Sequence, residues 1–296
     1  MNNYIVWFTA IGLSVASLAS NNVILIIFYL ELVTLITLGL AYYNSNFSLY
    51  NGYNSLVSFF TISSVAGIII LIGWLLECYI FFFIGLSLKL GVFPFCWWVY
   101  SVYSGVSWEV LIYLNTLFKI PILVIALVIL QNSDISVLSI MISFSVFFCI
   151  WYLISLGSSW ISFIGGNSIL SSALLLIFIN VLNFNMLTIF LLLGWAYFIS
   201  FIAAIYNNNS EGYLSGNAGI DTSVWWVLVL LSFPISVGII YKLSSVYFFM
   251  SLETNFYLFF IWTFYQVVEQ AWLVNIYFIN SSLNLNSEEH ISRLSL

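Results

Sequence analysis

Apolar residues dominate the chain from Tyr4 to Asn280, interrupted only by short polar clusters, so hydrophobicity comes in blocks of helical length. In a block such as residues 135–156 the apolar positions cover every face, without the alternation of a barrel strand or the one-sided stripe of a helix on a soluble core. Blocks of about 20 such residues match the hydrocarbon thickness of a bilayer. In lipid every backbone N–H and C=O must be paired internally, and the α-helix does this within one segment. The pattern predicts ten membrane helices, over residues 4–20, 22–43, 56–76, 78–103, 108–130, 134–156, 160–182, 186–206, 224–250 and 255–280. Their connections are mostly short, so neighbours run antiparallel and pack side by side. Residues 44–54 and 207–221 are Asn-, Ser- and Gly-rich loops suited to water, and residues 281–296 form a polar tail that lies on the membrane or docks on a partner. The expected fold class is all-α, a polytopic transmembrane bundle of about ten helices.

Two segments depart from a plain span. The fourth contains Lys89-Leu90-Gly91-Val92-Phe93-Pro94, and a proline there removes a helix hydrogen bond, so the helix is expected to break just after the lysine. The ninth is long for one crossing and contains Pro234-Ile235-Ser236-Val237-Gly238, followed by Lys242. Divided five and five, the ten helices place the interrupted, lysine-bearing helix fourth in each half, and an odd number of crossings per half inverts one half against the other. That is the pattern of inverted repeats with broken helices at a midplane ion site. The domain expected is a single transmembrane unit over residues 1–280, with halves at 1–133 and 134–280, followed by the tail.

Composition agrees with lipid as the solvent: 64% of the 296 residues are hydrophobic and 5% are charged, where a soluble domain carries about 25%. Ten acids against four bases leave no basic patch, which argues against nucleic-acid binding. Cys78, Cys96 and Cys149 fall in no ligand spacing and read as small buried hydrophobes. The one histidine, His290, lies in the tail, so haem and copper centres have no ligand set within the bundle and no metal site is expected. No Arg-rich leader precedes the first segment, as expected of a chain inserted close to where it is made.

Five ionisable residues fall deep in apolar segments: Glu31, Lys89, Lys119, Lys242 and Glu269. At roughly 2.5–3.5 kcal/mol each, five lipid-facing charges would oppose insertion by on the order of 12–17 kcal/mol, so they are expected to face the interior and mark a pathway. Lys89 and Lys119 lie too far from their segment ends to reach the headgroups along their own stems, whereas Lys242 is nearer an end. Glu31 is expected to pair with one of the lysines, and Glu269 either to pair with a lysine or to hydrogen-bond its aromatic neighbours. Glu109 and Asp134 open helices, where the dipole favours an anion, and Glu77 reads as interfacial. Trp97, Trp98, Tyr100, Trp225 and Trp226 read as headgroup-belt anchors, and Gly165-Gly166-Asn167 has no phosphate-binding context.

Lys89-Leu90-Gly91-Val92-Phe93-Pro94-Phe95-Cys96-Trp97-Trp98, with Gly105-Val106-Ser107 after it, resembles the KLG-x-x-PFH-x-W segment of the subunit 2 family of mitochondrial NADH dehydrogenase, an antiporter-like membrane-arm family of respiratory complex I. Leu30-Glu31-Leu32, Lys119-Ile120-Pro121 and Leu231-Ser232-Phe233-Pro234 before Lys242 follow in the family's order. The resemblance implies a subunit of the mitochondrial inner membrane without a cofactor of its own. Such a subunit assists proton translocation while NADH, FMN, iron–sulfur clusters and ubiquinone react in other subunits. It further implies Glu31 and Lys89 as an ion pair, Lys119 as central relay, Lys242 as terminal lysine, and other membrane-arm subunits and lipids as partners.

This sequence departs from the family at Cys96, where the motif has histidine, and at Asn167-Ser168-Ile169-Leu170-Ser171-Ser172, where a Ser- and His-bearing segment is usual. A histidine step would then be lost or replaced by water and hydroxyls. The family's fuller helix set implies that N-terminal helices are missing here or supplied by a separate polypeptide. Two alternatives share the residues: a cation/proton antiporter subunit of the same ancestry, and a structural complex I subunit without its own proton path.

Overall fold

A computed structural model describes residues 3–20, 22–44, 51–130, 135–155, 160–208, 236–251 and 256–294. These form twelve α-helices and no strand among the described residues. The first seven are α1 (Asn3–Ala19), α2 (Val23–Asn44), α3 (Asn51–Leu75), α4 (Tyr79–Leu90), α5 (Trp97–Gly105), α6 (Trp108–Asn115) and α7 (Lys119–Leu130). They are followed by α8 (Ile135–Ser155), α9 (Trp160–Val181), α10 (Phe184–Asn208), α11 (Val237–Ser251) and α12 (Phe256–Leu294). Among the described residues five stretches are long and apolar enough to cross a membrane: Val23–Leu40, Tyr53–Leu75, Trp108–Val128, Leu138–Ser155 and Phe184–Ala203. Four shorter apolar helices, Ile5–Ala19, Tyr79–Leu90, Phe163–Ile179 and Val237–Met250, accompany them.

The bundle is apolar on both its inside and its outside. One contiguous core runs from Ala10 on α1 to Leu273 on α12, while Phe8 (80% exposed), Leu75, Ile80 and Ile154 point outward. So much outward apolar surface suits hydrocarbon and not water. Many hydroxyls inside the spans bond within their own helix: Ser14, Thr37, Ser58, Ser87 and Ser145 each donate to the carbonyl three residues back.

Close packing follows from small residues and ring contacts. α3 packs along α4 and α5, and α8 along α9. At the α3–α4 contact a Cβ on Gly85 would lie 2.6 Å from Ile70 Cγ1 and 3.1 Å from the backbone oxygen of Ala66, so only glycine allows this approach. On the other side of the bundle Tyr197 of α10 stacks on Tyr241 of α11 at 5.5 Å and 9°, and Phe163 of α9 stacks on Trp272 of α12 at 5.1 Å.

The segment 78–103 divides into α4 and α5 with the break expected after Lys89, and α12 continues as helix to Leu294. Two expectations need correction. The segment 108–130 is not one helix: α6 ends at Asn115 and α7 begins at Lys119. Trp98 and Tyr100 are not belt anchors, being 5% and 4% exposed, because α5 turns back into the bundle, while Trp97 faces out. Pro234, Asp134, Trp225 and Trp226, and most of the loop expected at 207–221, lie outside the described residues.

The α3–α4 contact yields a direct test. Gly85→Ala is expected to destabilise the chain by about 1–3 kcal/mol through overpacking against the Ile70 and Ala66 backbone, read as a lowered unfolding midpoint in mild detergent.

Candidate functional site

Each of the three intramembrane lysines sits at or near a helix end. α4 stops just after Lys89 because Gly91 takes the left-handed conformation (φ +68). The Gly91 N–H then donates to the Leu88 carbonyl at 3.3 Å, and the Val92 N–H donates to the Ser87 carbonyl at 3.0 Å. This paired closure satisfies carbonyls that the helix end would leave open. Trp98 Nε1 adds a bond to the Leu88 carbonyl at 3.0 Å, tying α5 back against the lysine's own turn. The break falls where the sequence places it, with Gly91 closing the helix and Pro94 following in the connection.

Lys89 points inward with a fully buried side chain, and its Nζ meets Glu31 Oε1 at 2.6 Å. Glu31 lies on α2 with its side chain 35% exposed, and its Oε2 accepts a bond from Thr34 Oγ1 at 3.4 Å. Gly67 of α3 makes room for this carboxylate, since a Cβ there would collide with Glu31 Oε1.

Lys119 opens α7 after a three-residue interruption. Within it the Phe118 N–H reaches back to Tyr113 and the Lys119 N–H to Thr116, so the α-helical ladder is broken. Pro121, two residues on, has no N–H to resume the pattern. The span carrying this break is 78% buried, the most enclosed of the five. Lys119 Nζ donates to Ser171 Oγ at 2.8 Å and to the Ser168 carbonyl at 3.3 Å on α9. Beside it Asn115 Nδ2 donates to the Tyr103 hydroxyl at 2.7 Å, which donates to Ser168 Oγ at 2.6 Å.

Lys242, in the second turn of α11, stands 3.6 Å from Glu269 Oε2 on α12. The carboxylate is 1% exposed and the lysine side chain 14%. Glu269 Oε1 accepts a bond from the Tyr197 hydroxyl at 3.4 Å. Both alternatives foreseen for Glu269, a lysine partner and an aromatic one, are therefore realised together.

Two cavities link these groups. One of about 20 Å³ is lined by Lys89, Lys119, Tyr103, Ser168 and Ser172. The other, of about 50 Å³, is lined by Lys119, Ser171, Asn167, Gln266, Lys242 and Glu269. Both exceed the ~10–15 Å³ needed to admit a water. The five predicted residues thus fall in the order Glu31, Lys89, Lys119, then Lys242 with Glu269, with a small cavity between Lys89 and Lys119 and a larger one between Lys119 and the Lys242–Glu269 pair.

The sequence missed three parts of this arrangement. The break at Lys119 has a visible signal in Pro121, whereas the Tyr103–Asn115 support shows only as scattered polar residues in apolar helices. Gly67 has no signal beyond its being glycine. No protein-family model matches the chain, and no characterised protein matches its sequence.

The Glu31–Lys89 pair makes a testable claim. Glu31→Ala leaves a buried ammonium without its carboxylate, and the loss is expected to be about 3 kcal/mol, the lower end of the usual cost because Glu31 is partly exposed. Glu31→Ala with Lys89→Met should recover most of that loss in a double-mutant cycle of unfolding midpoints.

Proposed function

We propose that the chain is a non-redox membrane-arm subunit of respiratory complex I, in the mitochondrial inner membrane, that carries protons along the row Glu31, Lys89, Lys119 and Lys242. The observation that supports this most is the row itself: three costly lysines in separate helices, each at or near a helix end, with two small cavities between them into which serine, asparagine and glutamine side chains project, inside an otherwise apolar bundle. In this reading ten crossings form two inverted five-helix halves, at residues 1–133 and 134–280, and the four shorter apolar helices together with the first part of α12 complete the set of spans.

The chemistry follows from the geometry. Lys89 holds its proton while Glu31 is at 2.6 Å, and a movement that lengthens this contact weakens the hold and frees the proton for the water beside Lys119. The hydroxyls of Ser168, Ser171 and Tyr103 can accept and donate along that step, the part a histidine would otherwise play. No cofactor is expected on this chain; NADH oxidation and ubiquinone reduction belong to other subunits, whose conformational coupling would move the Glu31–Lys89 pair.

Membership of a larger assembly, in preference to a stand-alone antiporter, is supported by Glu31. A carboxylate 35% exposed at mid-helix would be costly against lipid, and a neighbouring subunit would cover it. The test is to solubilise native membranes gently, separate the complexes on a native gel and identify the bands that contain this chain. Co-migration with NADH-oxidising activity is the expected result; migration in a small particle without that activity would overturn the assignment. In the intact assembly Lys119→Ala should lower proton translocation by on the order of a hundred-fold, the scale of losing one proton-transfer group.

A further inference from the structure

Asn115, Tyr103 and Ser168 are buried polar residues joined in a chain, and their donors and acceptors fix its direction. Asn115 Nδ2 donates to the Leu111 carbonyl at 3.0 Å and to the Tyr103 hydroxyl at 2.7 Å. A carbonyl can only accept, so the amide cannot be turned over and its NH₂ group must face Tyr103. A phenol bonds mainly in its ring plane, accepting on one side of the oxygen and donating on the other. With Asn115 on the accepting side, the Tyr103 O–H goes to Ser168 Oγ at 2.6 Å. Ser168 keeps its own hydroxyl hydrogen, for which the described residues place no acceptor.

The direction matters because of where the chain ends. Ser168 lines the smaller cavity together with Lys89, Lys119 and Ser172. The neighbouring hydroxyls are already committed: Ser171 and Ser172 donate to the Ser168 carbonyl at 2.9 and 2.8 Å, and Lys119 Nζ donates to that same carbonyl. The Ser168 O–H is therefore the hydroxyl hydrogen of this group that is left to enter the cavity, and a water there accepts it. Asn115 sets this from across the helix break, since it ends α6 while Lys119 opens α7.

We propose that Asn115 is a positioning residue, which fixes the direction of the Asn115–Tyr103–Ser168 chain so that Ser168 donates to the water between Lys89 and Lys119. This rests on the relay reading above and concerns its step between those two lysines. A water that accepts from Ser168 Oγ and from the Lys89 ammonium keeps both of its own hydrogens for donation, and one of them points at the Lys119 amine. In the transfer the Lys89 ammonium gives one proton to the water oxygen, and the water gives one of its hydrogens to the Lys119 amine. The water is regenerated, Lys89 is left as an amine and Lys119 becomes an ammonium. With the chain reversed, Ser168 would take a hydrogen from that water and compete with Lys119 for it.

The test combines two readouts on the full chain. In lipid vesicles, a ring-labelled tyrosine placed at position 103 alone separates its C–O stretching band from those of the other tyrosines. That band distinguishes a hydroxyl that both donates and accepts, expected in the wild type, from one that does only one of the two. Asn115→Leu and Ser168→Ala should move it in opposite directions, toward donating only and toward accepting only, and a band unmoved by Asn115→Leu overturns the proposal. In the native assembly Asn115→Leu and Asn115→Asp should each lower proton translocation by about ten-fold, short of the hundred-fold of a lost transfer group. Asn115→Asp keeps the shape of the side chain and exchanges the donor to Tyr103 for an acceptor, so a packing role would leave its translocation normal. Asn115→Leu combined with Ser168→Ala should lose no more than either alone, because both act on one hydrogen bond; losses that multiply overturn the proposal. Normal translocation by both Asn115 variants while Lys119→Ala is inactive removes this role and leaves the relay standing. Normal translocation by Lys119→Ala as well overturns the relay and the proposal with it.

Discussion

A charge taken out of water into a low-dielectric bundle must find its partners inside that bundle, and this constraint orders the rest of the structure. A helix end has a related need, because its last carbonyls or first N–H groups lack intrahelical partners and lipid offers none. The fold meets both needs in the same places. α4 ends one residue after Lys89, α7 begins with Lys119, and α11 begins five residues before Lys242. The breaks after Lys89 and before Lys119 thus lie in the interior, where side-chain hydroxyls, amides and indoles collect, and the apolar faces are left to lipid.

The close contacts of the bundle serve the same end. Gly67 leaves space for the Glu31 carboxylate, and Gly91 lets the chain turn so that Trp98 can return to the carbonyl of Leu88. Gly85 brings α4, and with it Lys89, down onto α3. Around the second pair the stacked rings of Tyr197 and Tyr241 hold α10 against α11 beside Lys242. Positions that would be ordinary packing in another bundle here fix the distance between charges.

Much of this was legible in the sequence because the relevant signals are local. Apolar block length marks helices, a proline or glycine after a lysine marks a break, and a charge inside an apolar run is rare enough to be noticed. Glu31, Lys89, Lys119, Lys242 and Glu269 stand out in this way, and the fold brings four of them into two ion pairs. What was not legible is non-local. The pairing of Lys242 with Glu269, the serines of α9 that receive Lys119, and the inward turn of Trp98 and Tyr100 depend on which faces meet. Residues apolar on every side carry no periodicity from which those faces can be read. The break before Lys119 was overlooked for the opposite reason: a continuous hydropathy block hid the local signal of Pro121.

The two ion pairs are unlike, and the difference gives the row a direction. At one end the acid, Glu31, is the partly exposed member and its lysine is sealed; at the other the lysine, Lys242, is the partly exposed member and its acid is sealed. The first end therefore presents negative charge outward and the second positive. The contact lengths, 2.6 Å and 3.6 Å, also differ, so the first pair holds its charges more firmly than the second. Between them Lys119 is held by neutral oxygens from Ser168 and Ser171. Neutral acceptors stabilise an ammonium less than a carboxylate does. Lys119 thus sits between a tight ion pair and a looser one, held by hydroxyl and carbonyl oxygens where its neighbours in the row are held by carboxylates.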